Sequence, residues 1–288
     1  MINIHENISR FISPLFFKTI GLDIFGRYKW IQKTLEWTEK ERSEWRLKRL
    51  GDILEFAWNH VSFYREYWGD HGIIFKRPTS FEELDAYPIL TKKIYKENEN
   101  RFQPDILNMI RYQNKFTGGT TGEPVQYLQD IEQWVLTQAF LLWCWSLAGY
   151  KFGDSVGVIA GGSLVPEKIT AEIKLRNYFE RKLFLFGVYM DEKLAKEYYE
   201  KLNAYKVQYL YGYPSIIYLF AQFLGKQKLK LPHIKAVITT AEMLHRNYRN
   251  TIESVLSCKV FNDLGCNDGG YEAFECHLHN GFHYNDLQ

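Results

Sequence analysis

The sequence predicts an α/β protein: a mainly parallel sheet flanked by helices, preceded by a helical amino-terminal region. Three observations carry this reading. Beyond about residue 150, short apolar runs alternate with helical stretches, the pattern of strand, crossover and parallel strand. The first hundred residues instead place apolar side chains at helical spacing. Between the two lies KFTGGTTGEP (115–124), the single Gly/Thr-rich segment of the chain. The division expected is a helical region over 1–100 and an α/β core over 101–288. The chain has 288 residues, 46% hydrophobic and 24% charged, enough to bury a sizeable core without disulfide or metal staples.

Taken in order, the elements have local causes. From Glu41, residues Leu47, Leu50, Leu54 and Ala57 share one helical face, with Arg, Lys and Asp between them. TSFEEL (79–84) offers an N-cap and early acids for a short helix. Ile131 to Ala148 reads as a long, largely buried helix. SVGVIA (155–160) reads as a strand, VPEKITAEIKLRNYF (165–179) as a helix and LFLFGVYM (183–190) as a strand. Asp191 caps a helix through Leu202. VQYLY (207–211), KAVITT (235–240) and KVFNDL (259–264) are strand-like, separated by helices over 214–224 and 244–256.

Composition excludes several classes. Lys plus Arg number 36 against 34 Asp plus Glu, a net charge of +2, which removes the electrostatic argument for a nucleic-acid binder. Four cysteines in a chain of this length are no disulfide framework. Glu6, Arg10, Pro14 and Lys18 interrupt the amino-terminal apolar stretch, unlike a secretory signal. The most apolar run, Ala139 to Tyr150, has 12 residues, short of the roughly 20 that span a bilayer. A cytoplasmic protein is expected. FISPLFFKTIGLDIF, near the start, has the composition to touch a membrane surface, but packing on its own domain is the plainer reading.

Thr117, Gly118, Gly119, Thr120, Thr121 and Gly122 put three glycines and three hydroxyls into six positions. Glycines let backbone N–H groups approach an anion and hydroxyls add donors, which suits a phosphate cradle. The Gly-Lys-Ser/Thr ending of a Walker A loop is absent; by composition alone, a flexible turn is an equal alternative. Two further polar segments, TTAEML (239–244) and GCNDGG (265–270), follow predicted strands, where α/β sheets gather ligands.

With these segments in view, the chain resembles the adenylate-forming enzymes, specifically the phenylacetate–CoA ligase branch and its CapK-type members of capsular polysaccharide biosynthesis. KFTGGTTGEP resembles that family's phosphate loop, TTAEML its adenine contact, and DLGCNDGG its Tyr-Gly-x-Thr-Glu motif. RLGDILEFAWNHVSFYREYW, YLYGYPSIIYLFAQFL and ECHLHNGFHYND extend the likeness from about Trp37 to Gln288. The resemblance implies the large domain of the adenylate-forming fold, and an ATP-dependent activation of a carboxylate as acyl-adenylate. Transfer to a thiol such as coenzyme A follows, with a place in capsular or surface polysaccharide assembly. It implies that Thr117 to Gly122 embrace the triphosphate, that Glu242 lies beside adenine, and that Asp268 holds Mg²⁺. Tyr213 and Pro214 would sit near the acyl pocket. Small-molecule carboxylate and nucleotide are the implied partners.

The sequence departs from the family pattern at Leu264, where the motif has Tyr, and at Asp268, where it has Glu. Glu123 stands where many members have Lys. Family members continue into a ribose-binding Asp and a lid domain with a catalytic lysine, and no residue here aligns with either. A truncated chain without its lid is therefore expected, and the alternative function is a non-catalytic nucleotide- or partner-binding remnant.

Two other chemistries have candidate residues in the chain. Cys266, Cys276, His279 and His283, with His277 among them, offer zinc-type ligands at short spacing, although no CxxC pair is present. Solvated histidines and buried cysteines are the plainer reading. A hydrolase triad has little support, because neither Ser163 nor Ser215 sits in a G-x-S-x-G elbow.

Overall fold

The structure is a computed structural model; it describes residues 4–117, 125–162, 164–165, 170–187, 189–266, 271–284 and 286–287. The elements in chain order are α1 (Ile4–Thr19), α2 (Ile24–Thr34), α3 (Glu39–His60), α4 (Ser62–Asp70), α5 (Lys92–Glu97), β1 (Tyr112–Phe116) and β2 (Gln126–Asp130). Then follow α6 (Ile131–Leu147), β3 (Val156–Ala160), α7 (Ala171–Glu180), β4 (Lys182–Phe186), α8 (Glu192–Ala204), β5 (Tyr209–Gly212) and α9 (Pro214–Lys226). Last come β6 (Ala236–Thr239), α10 (Arg246–Leu256), β7 (Lys259–Cys266), β8 (Tyr271–Glu275) and β9 (Phe282–Tyr284). Two compact units result, one from residues 1–31 with 135–285 and one from 32–134 with 286–288.

The larger unit holds a seven-stranded sheet in the order β4-β3-β5-β6-β7-β8-β9. The strands from β4 to β7 are parallel, and β8 and β9 add antiparallel at one edge. All residues of β3 and β6 are buried, which explains their unbroken apolar sequence, since parallel strands are covered on both faces. The core joins Ile159, Leu210 and Val237 of the sheet to Leu202, Ile217, Phe220 and Ile252 of the helices. Local chemistry starts these helices. Asp191 accepts from the Leu194 N–H at 2.7 Å, and Pro214 opens α9 where its missing N–H leaves no gap. Of the expected helix over 165–179, residues 166–169 lie outside the described residues; α7 runs from Ala171, where Thr170 supplies an N-cap bond to the Ile173 N–H at 3.2 Å.

The smaller unit is helical, with one antiparallel hairpin, β1–β2. α3 begins with a capping box: Thr38 Oγ1 accepts from the Glu41 N–H, and Glu41 Oε2 from the Thr38 N–H at 2.7 Å. Its inner face carries Leu54 and Ala57, packed with Trp68 of α4, as the apolar spacing predicts.

Candidate functional site

The strand order reverses direction between β3 and β5, since β3 has β4 on one side and β5 on the other. In open α/β sheets ligands gather outside the carboxyl ends of the strands at such a point. Here the edge is pinned by Gly212, the last residue of β5. A Cβ on Gly212 would lie 1.9 Å from the Ile159 carbonyl oxygen, so the close passage of β3 past β5 requires glycine. The Thr240 N–H donates to the Gly212 carbonyl at 3.0 Å, and the Tyr213 N–H to Ile159 at 3.4 Å. The ends of β3, β5 and β6 are thereby tied together.

Two of the sequence-predicted segments meet on this edge. Tyr213 is the N-cap of α9 and Pro214 its buried first residue. After β6, Thr239 Oγ1 donates to the Phe261 carbonyl and to Asn262 Oδ1, each at 3.3 Å. The chain then turns through Ala241, whose φ of 67° is left-handed for a residue with a Cβ. That turn delivers Glu242, whose Oε2 accepts from the Ser215 N–H at 3.2 Å. The carboxylate thus satisfies a free N–H in the first turn of α9, beside the positive end of its dipole. Leu264 is half exposed on β7.

Other predicted positions fall elsewhere. Thr117 is in the smaller unit, where it closes the β1–β2 hairpin. Its N–H donates to the Val125 carbonyl at 2.9 Å, and its Oγ1 accepts from the Val125 N–H at 2.9 Å. Gly118, Gly119, Thr120, Thr121, Gly122 and Asp268 lie outside the described residues, as does the side chain of Cys266. The zinc expectation finds no support. Among the described residues no group of three or more His, Cys, Asp or Glu is arranged to hold a metal ion. Cys276 is buried. His279 Nδ1 lies 3.3 Å from Glu275 Oε2 and 3.1 Å from Arg249 Nη1, in an ion network. His283 stands edge-on to Trp143.

Sequence reasoning missed two features. The first is a pair of buried acids, Asp263 on β7 and Glu272 on β8. Glu272 stands opposite Gly265 in the ladder, so both carboxyls share one face of the sheet. The Tyr211 hydroxyl donates to Asp263 Oδ2 at 3.5 Å. Burial pushes the Asp263 carboxyl up to about 7, against the lowering influence of Tyr211 and Trp145. Burial, with the neighbouring Asp263 charge second, pushes Glu272 up to about 8. Burial likewise raises the Cys144 thiol of α6, and the two acids add to that. The available signal was the alternation in YEAFE, which puts Glu272 on the same face as Phe274. The second feature is Arg249, which grips Glu275 with two bonds of 3.0 and 2.7 Å. It also donates to the Val260 carbonyl at 2.6 Å. Nothing in the local sequence pairs residues 26 apart.

No known protein-family model matches the chain. Protein CapK of Staphylococcus aureus is 23% identical over 274 residues, covering 89% of this chain and 59% of that protein. Among solved structures, a 2-hydroxyisobutyryl-CoA ligase in the postadenylation state with R3-HIB-AMP superimposes with a TM-score of 0.65 at 19% identity. That match covers 85% of this chain and 53% of the ligase. The same enzyme in an open conformation with 2-HIB-AMP and CoA gives a TM-score of 0.61 at 20% identity, over 79% and 50% of the two chains. The chain therefore spans about half the length of these ligase structures and has their fold over that span.

Proposed function

We propose that this chain, of the CapK and CoA-ligase type, takes part in ATP-dependent activation of a carboxylate and transfer of the acyl group to a thiol such as coenzyme A. The carboxylate oxygen attacks the α-phosphorus of ATP, pyrophosphate leaves, and a thiol sulfur then displaces AMP while its proton passes to solvent. The observation that supports this reading most is the bond between the Ser215 N–H and Glu242. It ties the segment proposed for the acyl pocket, Tyr213 and Pro214, to the one proposed for adenine.

The residues on the described edge fit a nucleotide base. Leu264 offers a half-exposed apolar surface on β7, and the left-handed turn at Ala241 follows β6, the strand paired with β7. Thr117 to Gly122 are the residues proposed to bind the triphosphate, by N–H and hydroxyl donors that stabilise phosphate charge. Asp268 is proposed to hold Mg²⁺ through a hard oxygen ligand, the ion supplying charge neutralisation on the phosphates when bound. The likeness to CapK supports a role in surface-polysaccharide assembly, with ATP chemistry carried out in the cytoplasm.

The test is pyrophosphate release by the full chain with ATP and Mg²⁺ across a panel of carboxylic acids. Release that depends on one class of acid, and is lost in Gly119→Asp, is expected. Release independent of any carboxylate would contradict acyl activation and point to plain nucleotide hydrolysis.

A further inference from the structure

Helix α1 is turned against the usual amphipathic arrangement. Its inward face carries Ser9 and Ser13, both fully buried, with Phe17 one step further along the same stripe. The small serines let the helix lie close to the loop before β3: a Cβ on Gly153 would meet Ser9 Cβ at 3.1 Å. Polar clamps hold it there. Arg10 pairs with the buried Asp154 at 2.6 Å and with Glu6 at 2.7 Å, and Glu6 reaches Arg181 at 3.6 Å. Phe16 stacks on Phe179 of α7, with ring centroids 4.6 Å apart.

Large apolar side chains are left on the outside. Phe11 is 79% exposed, Leu15 67% and Ile12 50%, and the first two stand four residues apart on one face. On the neighbouring α7, Leu175 and Tyr178 are also about half exposed. Single exposed hydrophobics are ordinary, but a row of them on adjacent helices marks an interaction surface. Lys18 of α1 and Lys174 of α7 are exposed beside this row. Among the described residues, neither lies within ion-pair distance of a carboxylate.

We propose that the outer faces of α1 and α7 form a peripheral contact for an anionic lipid surface. Phe11, Ile12 and Leu15 would enter the boundary between headgroups and acyl chains, Tyr178 would lie at headgroup level, and Lys18 and Lys174 would meet the lipid charge. Charge decides between occupants. The residues named on this face carry positive charge and no carboxylate, so a second copy packed on it offers these lysines no opposite charge, whereas an anionic bilayer complements them. No helix among the described residues is long and apolar enough to cross a membrane, so the contact lies on the surface.

Co-sedimentation of the full chain with phosphatidylcholine vesicles, with and without phosphatidylglycerol, tests this. Binding is expected only with phosphatidylglycerol, weakening as salt is raised. Phe11→Ser with Leu15→Ser should lower the bound fraction at least about tenfold, and Lys18→Gln with Lys174→Gln should lower it by a comparable factor, since binding requires the anionic lipid. Ile74→Ser, an equally exposed apolar site in the smaller unit, should bind as the parent does. Thermal melts check that each variant is folded, and Phe11→Ser alone replaces the double variant if that one melts early. Absence of binding, or binding indifferent to the α1 substitutions, overturns the proposal. A concentration-dependent dimer abolished by the same substitutions, without vesicle binding, also overturns it by giving the face to a second copy.

Discussion

Glu242 and Ser215 lie 27 residues apart in sequence, and the Ser215 N–H donates to Glu242 Oε2 at 3.2 Å. The bond joins the loop after β6 to the first turn of α9, the two segments that carry the proposed base and acyl contacts. Both partners are on the surface, so the bond contributes little to global stability and more to loop position.

Glu242→Ala should therefore lower stability by no more than about 1 kcal/mol while weakening ATP binding several-fold. Glu242→Gln keeps an acceptor oxygen and should recover most of that loss. Paired denaturation and nucleotide titrations separate the two effects; a large stability loss would show the bond to be structural instead.

Gly212→Ala forces a Cβ to within 1.9 Å of the Ile159 carbonyl oxygen. The backbone cannot yield as a flexible side chain would. The variant should lose about 3 kcal/mol or more, at or beyond the upper end of ordinary overpacking. By contrast, Gly69→Ala in α4 meets nothing within 4 Å and should be neutral or stabilising by up to about 1 kcal/mol. Urea unfolding of the two variants gives the comparison.

The buried acids predict a pH dependence of unusual sign. Asp263 and Glu272 hold their protons to about 7 and about 8 in the fold, whereas unfolded they ionise near the ordinary 3.8 and 4.5. Between about pH 4 and pH 8 the native state then binds more protons than the unfolded state. Stability from this pair is present at low pH and is lost as pH rises through that window. Melting temperatures should fall from pH 5 to pH 8.5, and Asp263→Asn with Glu272→Gln should flatten the curve. An unchanged slope in the double variant would show that the acids are ionised in the fold.

Arg249→Met leaves Glu275 buried beside His279 without its two-bond partner. The loss should be about 3 kcal/mol, as for other broken buried pairs. Adding Glu275→Gln should restore part of it, because no charge is then stranded. Denaturation of the single and double variants measures the coupling.

Much of the larger unit was legible in the sequence. SVGVIA, KAVITT and KVFNDL match β3, β6 and β7 to within a few residues at either end; for β3 and β6 the reason is that buried parallel strands read as apolar runs. The helix over Ile131 to Ala148 corresponds to α6, and Pro214 marks the start of α9. The hairpin β1–β2 was not foreseen: YQNKF and QYLQD are polar, and their burial alternates only weakly. Nor was the pairing of β8 with β9, a short and exposed edge. Tyr213, Pro214 and Glu242 stand out in the sequence as positions of the resembled motifs, while the bond that joins their segments through Ser215 depends on the parallel pairing of β5 with β6. Asp263 escaped notice because a carboxylate in a strand is ordinarily read as solvent-facing.

The central claim is that this chain binds ATP. Calorimetric titration of the full chain with ATP and Mg²⁺ tests it most directly, with Gly119→Asp and Asp268→Ala as controls. The account predicts saturable binding that both variants abolish or strongly weaken and that Glu242→Ala weakens several-fold. Absence of saturable binding by the parent chain, or binding unchanged in all three variants, would contradict it.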